Sequence, residues 1–103
     1  MRILVKPVGL PVEVREVTDS YRGIKEGLDG ALLDHITFKV MGTVLNIWID
    51  DEGKLKGLEP QFFLPWGDTL NGPLVFTGGA DEEGNTLGIT PSQEAVVRLM
   101  FED

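Results

Sequence analysis

Chemistry in this chain would have to rest on very few side chains. His35 is the only histidine, Ser20 and Ser92 are the only serines, and there is no cysteine. A nucleophilic triad needs a hydroxyl beside an imidazole that a third group orients, and neither serine stands in a Gly-x-Ser-x-Gly elbow. Without thiols there are no disulfides, thiolate zinc sites, iron–sulfur clusters or cysteine nucleophiles. The acidic runs Asp50-Asp51-Glu52 and Asp81-Glu82-Glu83 offer oxygen ligands. An EF-hand, however, needs Asp-x-Asp-x-Asp-Gly with a later glutamate, and neither run has that spacing. Gly78-Gly79 opens no helix, and no Walker or Gly-x-Gly-x-x-Gly loop occurs, so a nucleotide would lack its usual phosphate cradle. The expectation is therefore a non-enzyme with no catalytic residue, no metal and no cofactor. His35 reads as a partly exposed strand histidine and the acidic runs as solvated turns.

Binding is the chemistry that remains, and the charge distribution says toward what. Residues 1–49 carry six basic and six acidic side chains, residues 50–103 three and eleven, so the net charge of −8 belongs to the second half. Such a half repels nucleic-acid phosphates and attracts basic protein surfaces. Direct nucleic-acid binding is not expected, although carboxylates placed like phosphates could mimic DNA. Phe62, Phe63 and Trp66 are crowded beside Pro65 and Gly67. Aromatics so placed plug a small core or form the hot spot of a partner or dimer contact, and the sequence leaves both open. Trp48, on the strand face opposite Leu45, Ile47 and Ile49, is a second exposed-aromatic candidate that could share one apolar patch with them. Together with Asp81, Glu82 and Glu83 these aromatics make the candidate partner-binding set, suited to a protein with a basic or apolar surface. The alternative set is Arg15, Tyr21, Arg22 and Lys25, cations that could hold a small phosphorylated ligand while the tyrosine stacks on a base.

These side chains must be positioned by a single domain over 1–103, whose modest core a homo-oligomer would extend. Arg2 to Lys6 reads as a strand closed by the Pro7…Pro11 loop, and Val12, Val14 and Glu16 alternate in a second strand. Thr18-Asp19-Ser20 supplies caps for a helix at about 20–28, with Tyr21, Ile24 and Leu28 on one face. Gly23 and Gly27 on that helix predict a close approach to the sheet. After Asp29-Gly30, Leu32–Val40 and Val44–Asp50 form a hairpin across Met41-Gly42-Thr43. Residues 54–60 read as irregular chain, and Gln61–Asp68 as an extended loop or short helical turn. Leu74–Thr77 is a strand and Thr86–Ile89 a short one. Thr90, Pro91 and Gln93 form a capping box opening a helix at about 91–101, with an apolar stripe of Ala95, Val96, Leu99 and Met100 and a frayed tail at Glu102-Asp103. The fold class is α+β, a mostly antiparallel sheet packed by two helices.

Three stretches resemble a small family of unknown function found in phages, prophages and mobile elements of Gram-positive bacteria and actinobacteria. They are Asp51-Glu52-Gly53-Lys54-Leu55-x-Gly57-Leu58-x-Pro60, Gly72-Pro73-Leu74-Val75, and Asp81-Glu82-Glu83-Gly84 followed by Leu87-x-x-Thr90. The likeness covers nearly the whole chain and rests on turns and core positions. It implies a short phage or mobile-element product in the bacterial cytoplasm and supplies no catalytic residues. Gln61 stands where the family tends to have a polar residue such as asparagine, and the apolar Phe62–Trp66 run that follows marks this loop as a point of specialisation. Composition and resemblance together predict an accessory protein that binds and modulates a host protein, in host takeover or counter-defence. The alternative is a sponge that sequesters a nucleotide immune signal. No signal peptide and no membrane segment are expected.

Overall fold

The computed structural model describes residues 1–29 and 33–101. Its main sheet is built from β1 (Arg2–Lys6), β2 (Glu13–Glu16), β3 (Leu33–Val40), β4 (Thr43–Asp50) and β7 (Leu74–Thr77), while β5 (Pro60–Phe63) and β6 (Thr69–Asn71) pair separately. The main sheet has the order β2-β1-β7-β4-β3, and every pairing in it is antiparallel. β7 takes the centre because all of its residues are apolar or can bury a hydroxyl: Leu74, Val75, Phe76 and Thr77 are all buried. A strand hidden on both faces reads as a continuous apolar run and cannot be an edge. Registers Leu4↔Phe76 and Ile47↔Phe76 stitch it between β1 and β4.

The period of two in the strands gives the sheet two apolar faces, and each finds a cover. One face buries Leu4, Leu45, Ile47 and Phe76 against Val96 and Val97 of α2 (Pro91–Phe101). The other buries Ile3, Val5 and Val75 against Ile24 and Leu28, at and just beyond α1 (Ser20–Gly27). Asp19 is the cap that α1 uses, its Oδ1 accepting the Arg22 N–H at 3.2 Å. Gly27 permits the predicted close approach: a Cβ there would lie 2.7 Å from Val75 Cγ2 and 3.3 Å from Val5 Cγ2. The capping box of α2 is reciprocal, with Thr90 N–H donating to Gln93 Oε1 at 2.8 Å and Gln93 N–H to Thr90 Oγ1 at 3.2 Å. The Gln93 amide then donates to Val44 O at 2.9 Å, pinning the helix to β4.

The structure departs from the expectations in five places. Tyr21 is 61% exposed and does not share the buried face of Ile24 and Leu28, because the first turn of α1 lies against Val17 through Gly23 instead. The buried stripe of α2 is Gln93, Val96 and Val97, not Ala95 and Leu99, since Gln93 is the anchored residue. Glu94 is held on that side by Arg2 and Arg98. Thr86–Ile89 is not a strand but a single bridge, Ala80↔Thr86, continued by Leu87 N–H to Gly79 O at 2.9 Å and Ile89 N–H to Arg2 O at 2.8 Å. Gln61–Asp68 is one side and the tip of a hairpin, whose return strand β6 was not expected. The hairpin turn before β4 is the two residues Met41 and Gly42, both at positive φ (49° and 78°), closed by the Val40↔Thr43 pair. Gly30, Leu32 at the predicted start of β3, and Glu102-Asp103 lie outside the described residues.

Candidate functional site

The β5–β6 hairpin is an arm laid over the α2 side of the sheet. Gln61 ties its base down, the side-chain amide donating to Lys6 O at 3.0 Å and Gly72 O at 2.7 Å while Oε1 accepts from Lys6 Nζ at 3.1 Å. Alternation along β5 then separates the two phenylalanines. Phe62 turns inward, its ring 5.9 Å from that of Phe38 on β3 and 5.1 Å from that of Phe101 on α2. Phe63 turns outward and is 74% exposed. The tip is closed by Leu64 N–H to Asp68 O at 2.8 Å. Leu64 is buried within it and Trp66 is 65% exposed.

An ion pair between Lys54 and Asp68 fastens the tip to the turn after β4. That turn is itself braced by Asp50, a nearly buried carboxylate that accepts from Lys56 Nζ at 2.8 Å and from the Glu52 N–H at 2.8 Å. Burial works to raise the Asp50 carboxyl, but the Lys56 ammonium, the Glu52 N–H and the Lys56 charge together hold it below its ordinary value. The same bond pushes Lys56 up. Between the turn, the arm and β3 lies a hollow of about 230 Å³ whose lining includes Asp34, Ile36, Asp51, Leu55 and Asp68. Leu55, 86% exposed, joins Phe63 and Trp66 at this end of the molecule. The sequence reading passed over Leu55 because residues 54–60 show no periodicity. The available signal was an apolar side chain between two lysines, a place where burial is improbable.

The candidate partner set is thus divided. Phe63 and Trp66 are surface groups, whereas Phe62 belongs to the core. Trp48 is half-buried on the opposite face of the sheet, packed on the α1 core, donating from Nε1 to Thr77 Oγ1 at 2.9 Å and stacked 4.6 Å from the His35 ring. It therefore shares no patch with the arm. Asp81, Glu82 and Glu83 lie at the other end of the sheet, in a loop that leaves β7 beside Val44. The other acidic turn begins at Asp50, the far end of the eight-residue β4, which separates the two by roughly 25 Å. Asp81 is spent on its own loop, accepting the Asn85 and Glu83 N–H groups at 2.9 Å each. The Asn85 bond above all holds its carboxyl low.

Of the alternative set, Tyr21, Arg22 and Lys25 come together around a hollow of about 450 Å³ with Asp19 and Glu26. Arg15 does not join them, being on β2 and paired with Glu13 at 2.5 Å. Lys25 Nζ stands 5.6 Å over the Tyr21 ring. All of these walls come from one helix and its cap, so a ligand there would keep its outer side in water. Among the described residues no three carboxylate or imidazole side chains are grouped to hold a metal, and no helix is long and apolar enough to cross a membrane.

Fold and surface define a small acidic α+β domain, with a five-stranded antiparallel sheet covered by a helix on each face and an aromatic-tipped arm. The chain belongs to the family described as a domain of unknown function, DUF3846, whose profile matches residues 1–102. No curated protein and no solved structure matches it.

Proposed function

We propose that this is a non-enzymatic accessory protein of a phage or mobile element that binds and modulates a host protein with a basic and apolar surface. The observation that carries the reading is the arm and the turn it is fastened to: Phe63 and Trp66 are 74% and 65% exposed on a hairpin that Gln61, Leu64 and the Lys54–Asp68 pair hold in place, and Leu55, 86% exposed, stands next to Lys54 in the turn after β4. Large apolar side chains on an ordered, rigid support contribute binding at little entropic cost. Asp51, Glu52 and Asp68 beside them supply the negative rim that attracts a basic partner. The family resemblance supplies the setting, and the poverty of catalytic side chains supports binding over turnover. The test is capture from host lysate at low salt with the wild type and with a Phe63→Ser/Trp66→Ser double variant. A host protein retained by the first and lost by the second is expected. Equal retention by both, or no specific protein with either, overturns the reading.

The hollow at Tyr21, Arg22 and Lys25 favours a second reading, a small-ligand binder such as a sponge for a nucleotide signal. Native mass spectrometry of protein purified from infected cells would show a co-purifying small mass, lost in an Arg22→Ala/Lys25→Ala variant.

A further inference from the structure

We infer that β3 is a docking edge that takes an extended segment of a basic partner as an additional strand of the sheet. The inference deepens the binding reading and rests on it for its biological meaning, while its chemistry can be tested alone. β3 is terminal in the order β2-β1-β7-β4-β3, so no strand pairs with one side of its eight-residue backbone, a template for main-chain hydrogen bonding in which the His35 N–H is held by Asp34 Oδ1 at 2.8 Å until an incoming strand takes its place. The opposite edge is unlike it. β2 has only four residues, Glu-Val-Arg-Glu, and is short and charged in the manner that discourages pairing.

The side chains of β3 define what would pair there. Asp34, Ile36, Phe38 and Val40 share one face, and Ile36, Phe38 and Val40 are half-buried hydrophobics packed on the α2 core. Leu33, His35, Thr37 and Lys39 alternate on the other. The arm ends over this edge, since Phe62 meets Phe38, and the hollow lined by Asp34, Ile36, Asp51 and Asp68 opens beside it. Asp68 has Lys54, while Asp34 and Asp51 have no cation within ion-pair distance among the described residues. A strand added along β3 would continue the apolar row at three alternate positions and meet negative charge at the next. It would therefore carry an arginine or lysine there.

A second copy of this chain is the wrong occupant. Antiparallel pairing about a two-fold axis places residues of the same face opposite each other, and Asp34 and Lys39 are on opposite faces, so no such register can pair them. Parallel pairing would set Asp34 near Asp34 and Lys39 near Lys39. Two chains of net charge −8 also repel. The complementary occupant is a heterologous segment of the pattern apolar-x-apolar-x-apolar-x-basic, running antiparallel to β3.

The probe is an acetylated, amidated Val-Thr-Val-Thr-Val-Thr-Arg peptide added to isotope-labelled full-length protein and followed by amide NMR. Shifts concentrated in β3 are expected. Replacing the terminal arginine by glutamate should weaken binding by about tenfold or more. N-methylation of one alternate set of peptide amides should abolish binding and that of the other set leave it, because only every second N–H faces β3. Shifts elsewhere, equal tolerance of both methylation sets, or no binding at millimolar peptide would overturn the inference. Capture of a host protein that depends on Phe63 and Trp66 while the peptide fails would overturn the edge and leave the binding reading standing. Peptide binding without such capture would support the edge and count against the proposed function.

Discussion

At the scale of single residues, Met41 and Asp50 carry consequences that their neighbours do not. Met41 holds φ at 49° with its side chain 72% exposed, a left-handed backbone that costs a side-chain-bearing residue about 1–2 kcal/mol and that asparagine tolerates better. With that side chain mostly in water, Met41→Asn should stabilise the protein by about 1 kcal/mol, read as a rise in the denaturation midpoint with an unchanged slope. Asp50 makes stability depend on pH in a definite direction. Its folded carboxyl titrates below the ordinary 3.8, so the unfolded chain takes up a proton first as pH falls. The Asp50 contribution is full above that value and is lost as pH drops through it toward the lower folded one. Urea unfolding at pH 6, 4 and 3 should show a stability loss that Asp50→Asn flattens, the variant being weaker at pH 6 because the neutral amide keeps one oxygen for the Glu52 N–H but gives Lys56 neither the charge nor the second oxygen it pairs with. Asp81→Asn is the companion variant, since Asp81 is lowered in the same direction; a slope removed by it and not by Asp50→Asn would assign the effect to the far loop.

Helices and strands were legible where local chemistry names them, and the arm shows where that ends. The capping box Thr90-x-x-Gln93 and the alternation in β3 and β4 are local patterns, and both elements are where those patterns put them. β6 is three residues, Thr69–Asn71, too short to show a period, and it exists because Gln61 bonds across to Gly72 O and Leu64 to Asp68 O. The stretch 61–72 contains all of these partners, but both bonds end on backbone carbonyls, which no residue type announces. The split between Phe62 and Phe63 was likewise invisible until β5 was known to be extended, since a period of two separates neighbours that a helical turn or a loop would not. Mutation should expose the split. Phe62→Ala removes a half-buried ring touching Phe38 and Phe101 and should cost about 2–3 kcal/mol, whereas Phe63→Ser should stay within about 0.5 kcal/mol in the same denaturation assay. Equal losses would mean that the arm packs differently. In α1, Gly27→Ala gains about 1 kcal/mol of helix propensity but drives a methyl into Val75 and Val5, an overpacking of about 1–3 kcal/mol. The net expectation is destabilisation, because Val75 lies in the central strand and has no room to move.

At the scale of the whole molecule, the decisive strand is the one that arrives late. β7 stands between β1 and β4, so the amino-terminal strand and the central hairpin touch only through a segment that begins at Leu74. Strand order was out of reach from sequence for this reason: the run Leu-Val-Phe-Thr says buried on both faces, but not between which neighbours. The same topology divides the surface into two ends, the aromatic arm with the Asp50 turn at one and the Asp81 loop at the other, although the sequence presents their charges as one acidic half. Folding should reflect the dependence on β7. A fragment ending at Gly72 keeps both strands of the β3–β4 hairpin, the arm and α1, yet it loses the strand that joins them and, with α2, the Phe101 ring that packs on Phe62 of the arm. It should be unfolded by circular dichroism and amide NMR. Adding a peptide of residues 73–103 in trans should restore the spectrum of the intact chain, because β7 and α2 together complete both the sheet and its larger core. A fragment that folded alone would require β1 and β4 to pair directly, and would break the order on which both the docking edge and the placement of the arm depend.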